Sequence, residues 1–310
     1  MKKQVLISVI LMGFMLLVGC QQESQTKKTT AAFIGGTDSV AFGFLEGTPP
    51  EEVYDGNTQS FGVTLSVENK GEYDVAKEDI SISLTGFYPP EFNNPVVSKN
   101  PDEDLDAAYI DSEGNKIPGT VTYVDFPGFN FIGSLVANND YKIRANICYI
   151  YGTKAQSDVC ILEDLTDLTA DTVCKVNEKK AAASSSAPIQ VENFEENVAG
   201  NEKITFSFEV VHRKTGLISR SGSSCDDEAA NKDKVWVEVD DGLPGLTCSP
   251  LEEGTATTGF VTLYGGKRIV RCTQDTTGLT GDFEKKANIN LKYDYKEHVE
   301  RILRVKHTTG

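Results

Sequence analysis

Six cysteines, Cys148, Cys160, Cys174, Cys225, Cys248 and Cys272, are the densest source of chemistry in the body of this sequence. Thiols either hold metal or pair. Zinc sites usually place cysteines two to four residues apart or beside histidines at ligand spacing, whereas the shortest interval here runs from Cys148 to Cys160. An even number of widely spaced cysteines therefore reads as three disulfides formed in an oxidising compartment. Fifteen pairings are open to six cysteines. The hairpin-like stretch CYIYGTKAQSDVC, with Lys154 midway, favours Cys148 with Cys160. The ends of two β-like runs favour Cys248 with Cys272, leaving Cys174 with Cys225 to tie the two halves of the chain together.

Other reactive patterns are incomplete. The three histidines, His212, His298 and His307, stand beside charged residues in strand-like segments, and no HExxH, Gly-x-Ser-x-Gly, phosphate-loop or dinucleotide pattern accompanies them. His298 and His307 read as exposed strand residues. With 46 acidic residues, some carboxylate pair is inevitable, so pairing alone does not signal glycoside hydrolysis. Asp102, Asp104, Asp106 and Glu113 occupy positions 1, 3, 5 and 12 of a calcium-type loop, but position 6, where the sharp turn needs Gly, is Ala107. That makes calcium a candidate ligand only in a looser geometry, beside the plainer reading of a solvated acidic loop. Phe126, Phe129 and Phe131 surround Pro127-Gly128 and suit either a core corner or an exposed aromatic tip. No resident cofactor is expected, and the chain reads as a non-enzyme.

What must position these groups follows from composition and patterning. The chain has 310 residues, 39% of them hydrophobic, with a net charge of −16 and a pI near 4.7. A field of that sign repels phosphate backbones, so nucleic acid is not an expected partner. Lys2 and Lys3 precede the apolar run Val5 to Gly19, which is near signal-peptide length and short of the roughly 20 residues of a membrane span. Leu17-Val18-Gly19-Cys20 resembles the lipobox of bacterial and many archaeal lipoproteins. That resemblance implies a signal peptide over 1–19, a lipidated Cys20, and a location on the extracytoplasmic face of the cell membrane, held there by the lipid. Residues 20–36 then read as a tether without apolar period. Loss of the two lysines takes the mature charge from −16 to about −18.

After the tether, strict alternation recurs: Phe61, Val63, Leu65 and Val67; Ile80, Ile82 and Leu84; Tyr141, Ile143, Ala145, Ile147 and Tyr149. Alternation is the mark of half-buried antiparallel strands, and the intervening YPPEFNNP and DSEGNKIPG supply turn chemistry. Residues 177–187, NEKKAAASSSA, hold no large apolar side chain and read as a linker. Beyond it Ile204, Phe206, Phe208 and Val210 alternate, then Val235, Val237 and Val239, with a hairpin expected around Gly265-Gly266 and a closing pair in ANINLKYDY and HVERILRVKH. Short helical turns are expected within 102–107 and 162–171. The predicted fold is all-β: one sandwich over 37–176, a linker at 177–187 and a second sandwich over 188–310.

The strand and turn at Phe61 to Gly71, FGVTLSVENKG, resemble the CARDB-type immunoglobulin-like repeat of prokaryotic surface proteins, in which an Asn-x-Gly turn follows an alternating strand. ITFSFEVVHRKTG matches with His212 and Arg213 in place of the Asn, and LYGGKRIVRC resembles a later strand pair of the family. The resemblance implies two tandem immunoglobulin-like sandwiches acting as a non-catalytic surface scaffold, adhesion or assembly module with a protein or glycan partner. The alternative is a lipoprotein that captures a soluble ligand or metal ion for a transporter, for which a polar cleft between the sandwiches would be needed.

Overall fold

A computed structural model describes residues 32–166, 172–226 and 228–308; the signal peptide, Cys20 and most of the tether lie outside them. In chain order the strands are β1 Val40–Phe44, β2 Glu52–Tyr54, β3 Ser60–Asn69, β4 Ile80–Thr85, β5 Ser98–Lys99, β6 Tyr109–Ile110, β7 Lys116–Ile117 and β8 Val121–Asn130. They continue with β9 Asn139–Ile161, β10 Glu178–Lys179, β11 Ala183–Ser184, β12 Ile189–Gly200, β13 Lys203–His212, β14 Leu217–Ser219, β15 Lys234–Asp240, β16 Leu246–Ser249, β17 Thr258–Thr262, β18 Lys267–Asp275 and β19 Phe283–Lys306. The all-β, antiparallel class is as expected; the one parallel pairing among these strands joins β2 to β19. Short 3-10 turns fall at Lys77–Asp79 and Pro89–Phe92 rather than within 102–107.

The organising element is the ladder between β9 and β19, unbroken from Phe283 opposite Ile161 to Val305 opposite Asn139. At one end the β1-β3-β8 sheet faces it, and at the other the β10-β12-β13-β18-β16 sheet does. Bonds between layers fix both contacts: Tyr151 Oη donates to Asn69 Oδ1 at 3.3 Å, and Thr153 Oγ1 donates to the Ile189 carbonyl at 2.7 Å. Two sandwich layers thus stand in tandem on one shared nine-stranded sheet. Their apolar residues form a single core, and residues 32–310 form one compact unit.

This arrangement corrects three expectations. Residues 177–187 are not a free linker: β10 and β11 pair with β12 and β9, and Ser185, Ser186 and Ala187 are buried. Small side chains suit Ser185 to Ala187 because that stretch is covered, not because it is loose. The presumed closing pair is one strand, β19. Gly265-Gly266 do form a tight turn, with Tyr264 bridged to Lys267, but β17 and β18 on either side of it enter different sheets.

Gly152 explains why β9 looked like a hairpin. A Cβ there would lie 2.3 Å from the Tyr73 ring, so glycine serves close packing within a straight strand. Twelve extended residues span roughly 40 Å, which excludes a Cys148–Cys160 bond. The bridges are Cys148–Cys225, Cys160–Cys174 and Cys248–Cys272. The last is as expected; the first two exchange partners relative to the expected pairs.

Candidate binding groove

Midway along the ladder the alternation divides side chains sharply. Tyr149, Tyr151, Tyr293 and Tyr295 point inward and are fully buried, with Tyr149 opposite Tyr295 and Tyr151 opposite Tyr293. On the outward face of the same strands stand Arg144, Asn146 and Cys148, opposite Glu300, His298 and Lys296. Residues 213–226 form a strap beside this outward face, held at three points.

The first is β14, which pairs with β19 from Leu217 opposite Lys296 to Ser219 opposite Asp294. The second is Gly216, whose N–H donates to Tyr295 Oη at 3.0 Å and whose missing side chain leaves room for that ring, since a Cβ would approach it to 2.5 Å. His212 Nε2 shares the same hydroxyl at 3.0 Å, and burial pulls the His212 imidazole below its ordinary pKa. The third is the Cys148–Cys225 bond, next to which the buried Asp294 carboxylate accepts from the N–H groups of Gly222 and Cys225 and from the Ser223 hydroxyl. Burial raises the Asp294 pKa while those donors oppose the rise. Cys148, Cys225 and Asp294 are close enough to hold a metal ion, but the thiols are joined and the carboxylate is committed to the strap.

Where the strap leaves the sheet, a notch opens. β14 meets β19 as far as Lys296 and β2 joins it from Arg304; among the described residues no strand pairs with that side of β19 in between. The notch holds a groove of about 470 Å³ lined by Arg144, Asn146, Thr215–Leu217 and Lys296–His298. Its polar groups are held in place. Arg144 Nε donates to Glu300 Oε1 at 2.7 Å, Lys142 pairs with the other Glu300 oxygen at 3.2 Å, and Asn146 Nδ2 donates to Thr85 Oγ1 at 3.0 Å. Glu297 accepts from Tyr149 Oη at 3.4 Å, and its half-buried carboxyl is shifted upward by burial, with Lys214 opposing. Leu217, 62% exposed, supplies an apolar wall.

The other residues singled out in the sequence lie elsewhere. Asp102, Asp104, Asp106 and Glu113 are exposed and are not brought within joint ligating distance; Asp104 Oδ1 instead accepts from the Lys77 N–H at 2.9 Å. Phe126, Phe129 and Phe131 are core residues, not a tip, and the rings of Phe129 and Phe131 pack with Phe61, Phe92 and Tyr141. His298 is an exposed strand residue on the groove floor, as expected, while His307, half-buried just past β19, bonds Asp55 at 3.0 Å. The Thr308 hydroxyl also donates to Asp55, not to His307, so this trio clamps the chain end and leaves no activated nucleophile. Thr308 and the Leu135 N–H hold the Asp55 carboxyl well below the usual carboxylate range, with His307 adding to them. The groove itself had no sequence signature, because its lining comes from three distant segments that each read as ordinary strand or loop.

No family model matches the chain, and no curated protein matches its sequence. No family is assigned. Among solved structures, the serine-rich repeat adhesion glycoprotein Srr1 of Streptococcus agalactiae is 9% identical, 89% of this chain aligning with 100% of that one at a TM-score of 0.18. The collagen binding domain of the Erysipelothrix rhusiopathiae surface protein RspB is 8% identical, with 87% and 91% aligned at a TM-score of 0.12. Overlaps of that size assign neither a family nor an activity. The CARDB-type resemblance rests on its own residues alone: Asn69 is buried, donates to the carbonyls of Tyr73 and Leu105, and accepts the Gly71 N–H.

Proposed function

We propose that this chain is a lipid-anchored, non-catalytic adhesion module of the cell surface, with Cys20 as the membrane attachment and the notch groove as the contact site for a surface partner. The observation that carries the reading is the groove: fixed polar side chains on a rigid ladder, beside a strap cross-linked by Cys148–Cys225. Pre-organised polar groups on a rigid scaffold suit recognition, because little ordering entropy is lost on binding. The reading also draws on the three disulfides, which suit an oxidising exterior. Among the described residues no helix is long and apolar enough to cross a membrane; the attachment proposed at Cys20 draws on the lipobox-like run Leu17 to Cys20.

The test displays the full-length protein on cells and measures their retention on host-cell and matrix-coated surfaces. Thr215→Trp, which fills the groove from an exposed position, should abolish retention without changing the amount displayed, and Cys20→Ser should release the protein to the medium. Retention unchanged by Thr215→Trp moves the contact site elsewhere. Absence of retention on every surface overturns the adhesion reading. The transporter-linked alternative predicts a cleft between separate sandwiches, whereas the groove here opens on the outward face of a shared sheet.

A further inference from the structure

We infer that the groove takes a neutral saccharide unit, an inference that rests on the groove being the contact site. A volume of about 470 Å³ lies within the range of small-ligand sites and holds one or two sugar rings. The charge pattern selects against an ion. Although Arg144 and Lys296 line the groove, the Arg144 guanidinium is paired with Glu300, and the Glu297 carboxyl turns to the inward face, toward Tyr149. A carboxylate or phosphate ligand at the guanidinium would sit beside the Glu300 carboxylate.

What the floor does offer is donors and acceptors in fixed planes. The Arg144–Glu300 pair presents guanidinium N–H groups beside a carboxylate. Asn146 is oriented by its bond to Thr85, which leaves its carbonyl oxygen as an acceptor, and the His298 ring makes no side-chain bond of its own among the described residues. Vicinal hydroxyls, which donate and accept at fixed spacing, complement such planar groups, and Leu217 gives the C–H face of a sugar ring an apolar surface. An added peptide strand is the competing occupant of a sheet notch. It is disfavoured because Arg301 donates to the carbonyls of Leu45 and Thr48, which brings that loop against the same edge and shortens the stretch a strand could pair with.

The experiment titrates the full mature chain with the methyl glycosides of galactose, mannose and N-acetylglucosamine, with glucuronate and inorganic phosphate, and with an unstructured decapeptide library, read by saturation-transfer NMR and calorimetry. At least one neutral glycoside should bind. Asn146→Ala should weaken that binding about tenfold, Thr215→Trp should remove it, and Arg271→Ala, on the other sheet, should leave it unchanged. Binding of glucuronate, phosphate or peptides alone overturns the inference, as does glycoside binding that survives Thr215→Trp. If no glycoside binds while Thr215→Trp still abolishes surface retention, the saccharide inference falls and the adhesion reading stands. If retention itself is absent, both fall.

Discussion

Cys148, in the middle of β9, is bonded to Cys225, 77 residues further along, and this bond ties the strap to the outward face of a sheet whose inward face carries the buried tyrosines. The strap buries few large apolar side chains, so covalent and polar ties replace a core of its own. A bridge closing a long loop typically contributes about 2–4 kcal/mol. Cys225→Ser should therefore lower the urea midpoint by a corresponding amount and raise amide exchange in residues 213–226, while exchange in β12 and β13 stays slow. Equal exchange in the strap of both proteins would show that Asp294 and Tyr295 hold it unaided.

The shared sheet makes the two halves interdependent. In a fragment of residues 188–310, β19 would lose its partner from Phe283 to Val305 and expose Tyr293 and Tyr295, which are fully buried in the intact chain. Such a fragment is expected to be unfolded by circular dichroism even with Cys225 replaced by Ser. A cooperative thermal transition of the fragment alone would restore the reading of two independent sandwiches.

Glu196 makes stability depend on pH. Its carboxyl lies between the layers, accepting the Cys160 N–H and facing Lys180 at 3.2 Å with Glu178 nearby. Burial pushes its pKa up to about 7 from an ordinary 4.5, against the pull of Cys160 and Lys180. Between those values the folded chain holds a proton that the unfolded chain has released. The stabilisation is thus complete below the unfolded value and is lost as pH rises through the folded one. Relative to Glu196→Gln, the wild type should lose urea midpoint between about pH 5 and about pH 8, the difference between the two proteins isolating this group from the other shifted carboxyls. Parallel profiles would mean that Glu196 stays charged throughout.

Much of the fold was legible because alternation is local: β3, β4, β13 and β15 each show their buried face in the sequence itself. What misled was also local. The run Tyr151, Thr153, Ala155, Ser157 and Val159 continues the inward face of β9, but Thr153 and Ser157, buried and bonded to the Ile189 and Ala181 carbonyls, read as polar positions of a turn. The covered small residues at 185–187 likewise read as part of a linker. Both errors split one long sheet into two domains and misassigned two disulfides. The groove was illegible for a different reason, since Asn146, Thr215 and His298 meet only once the ladder register and the strap are fixed.

Gly152 offers the sharpest check on that continuous strand. If residues 152–154 formed a hairpin turn, alanine at 152 would act through backbone conformation, and no other residue would relieve it. In the ladder Gly152 stands opposite Lys292, and an added Cβ would meet Tyr73 at 2.3 Å and the Leu291 carbonyl at 3.0 Å. Overpacking of this kind typically costs about 1–3 kcal/mol, and most of the clash is with a side chain that can be removed. Gly152→Ala should therefore lower stability by that amount. In the Tyr73→Ala background the same substitution should cost much less, a coupling that a double-mutant cycle of urea midpoints measures directly. Additive effects would place Gly152 away from Tyr73 and break the strand, because only a straight β9 carries residue 152 beneath that ring.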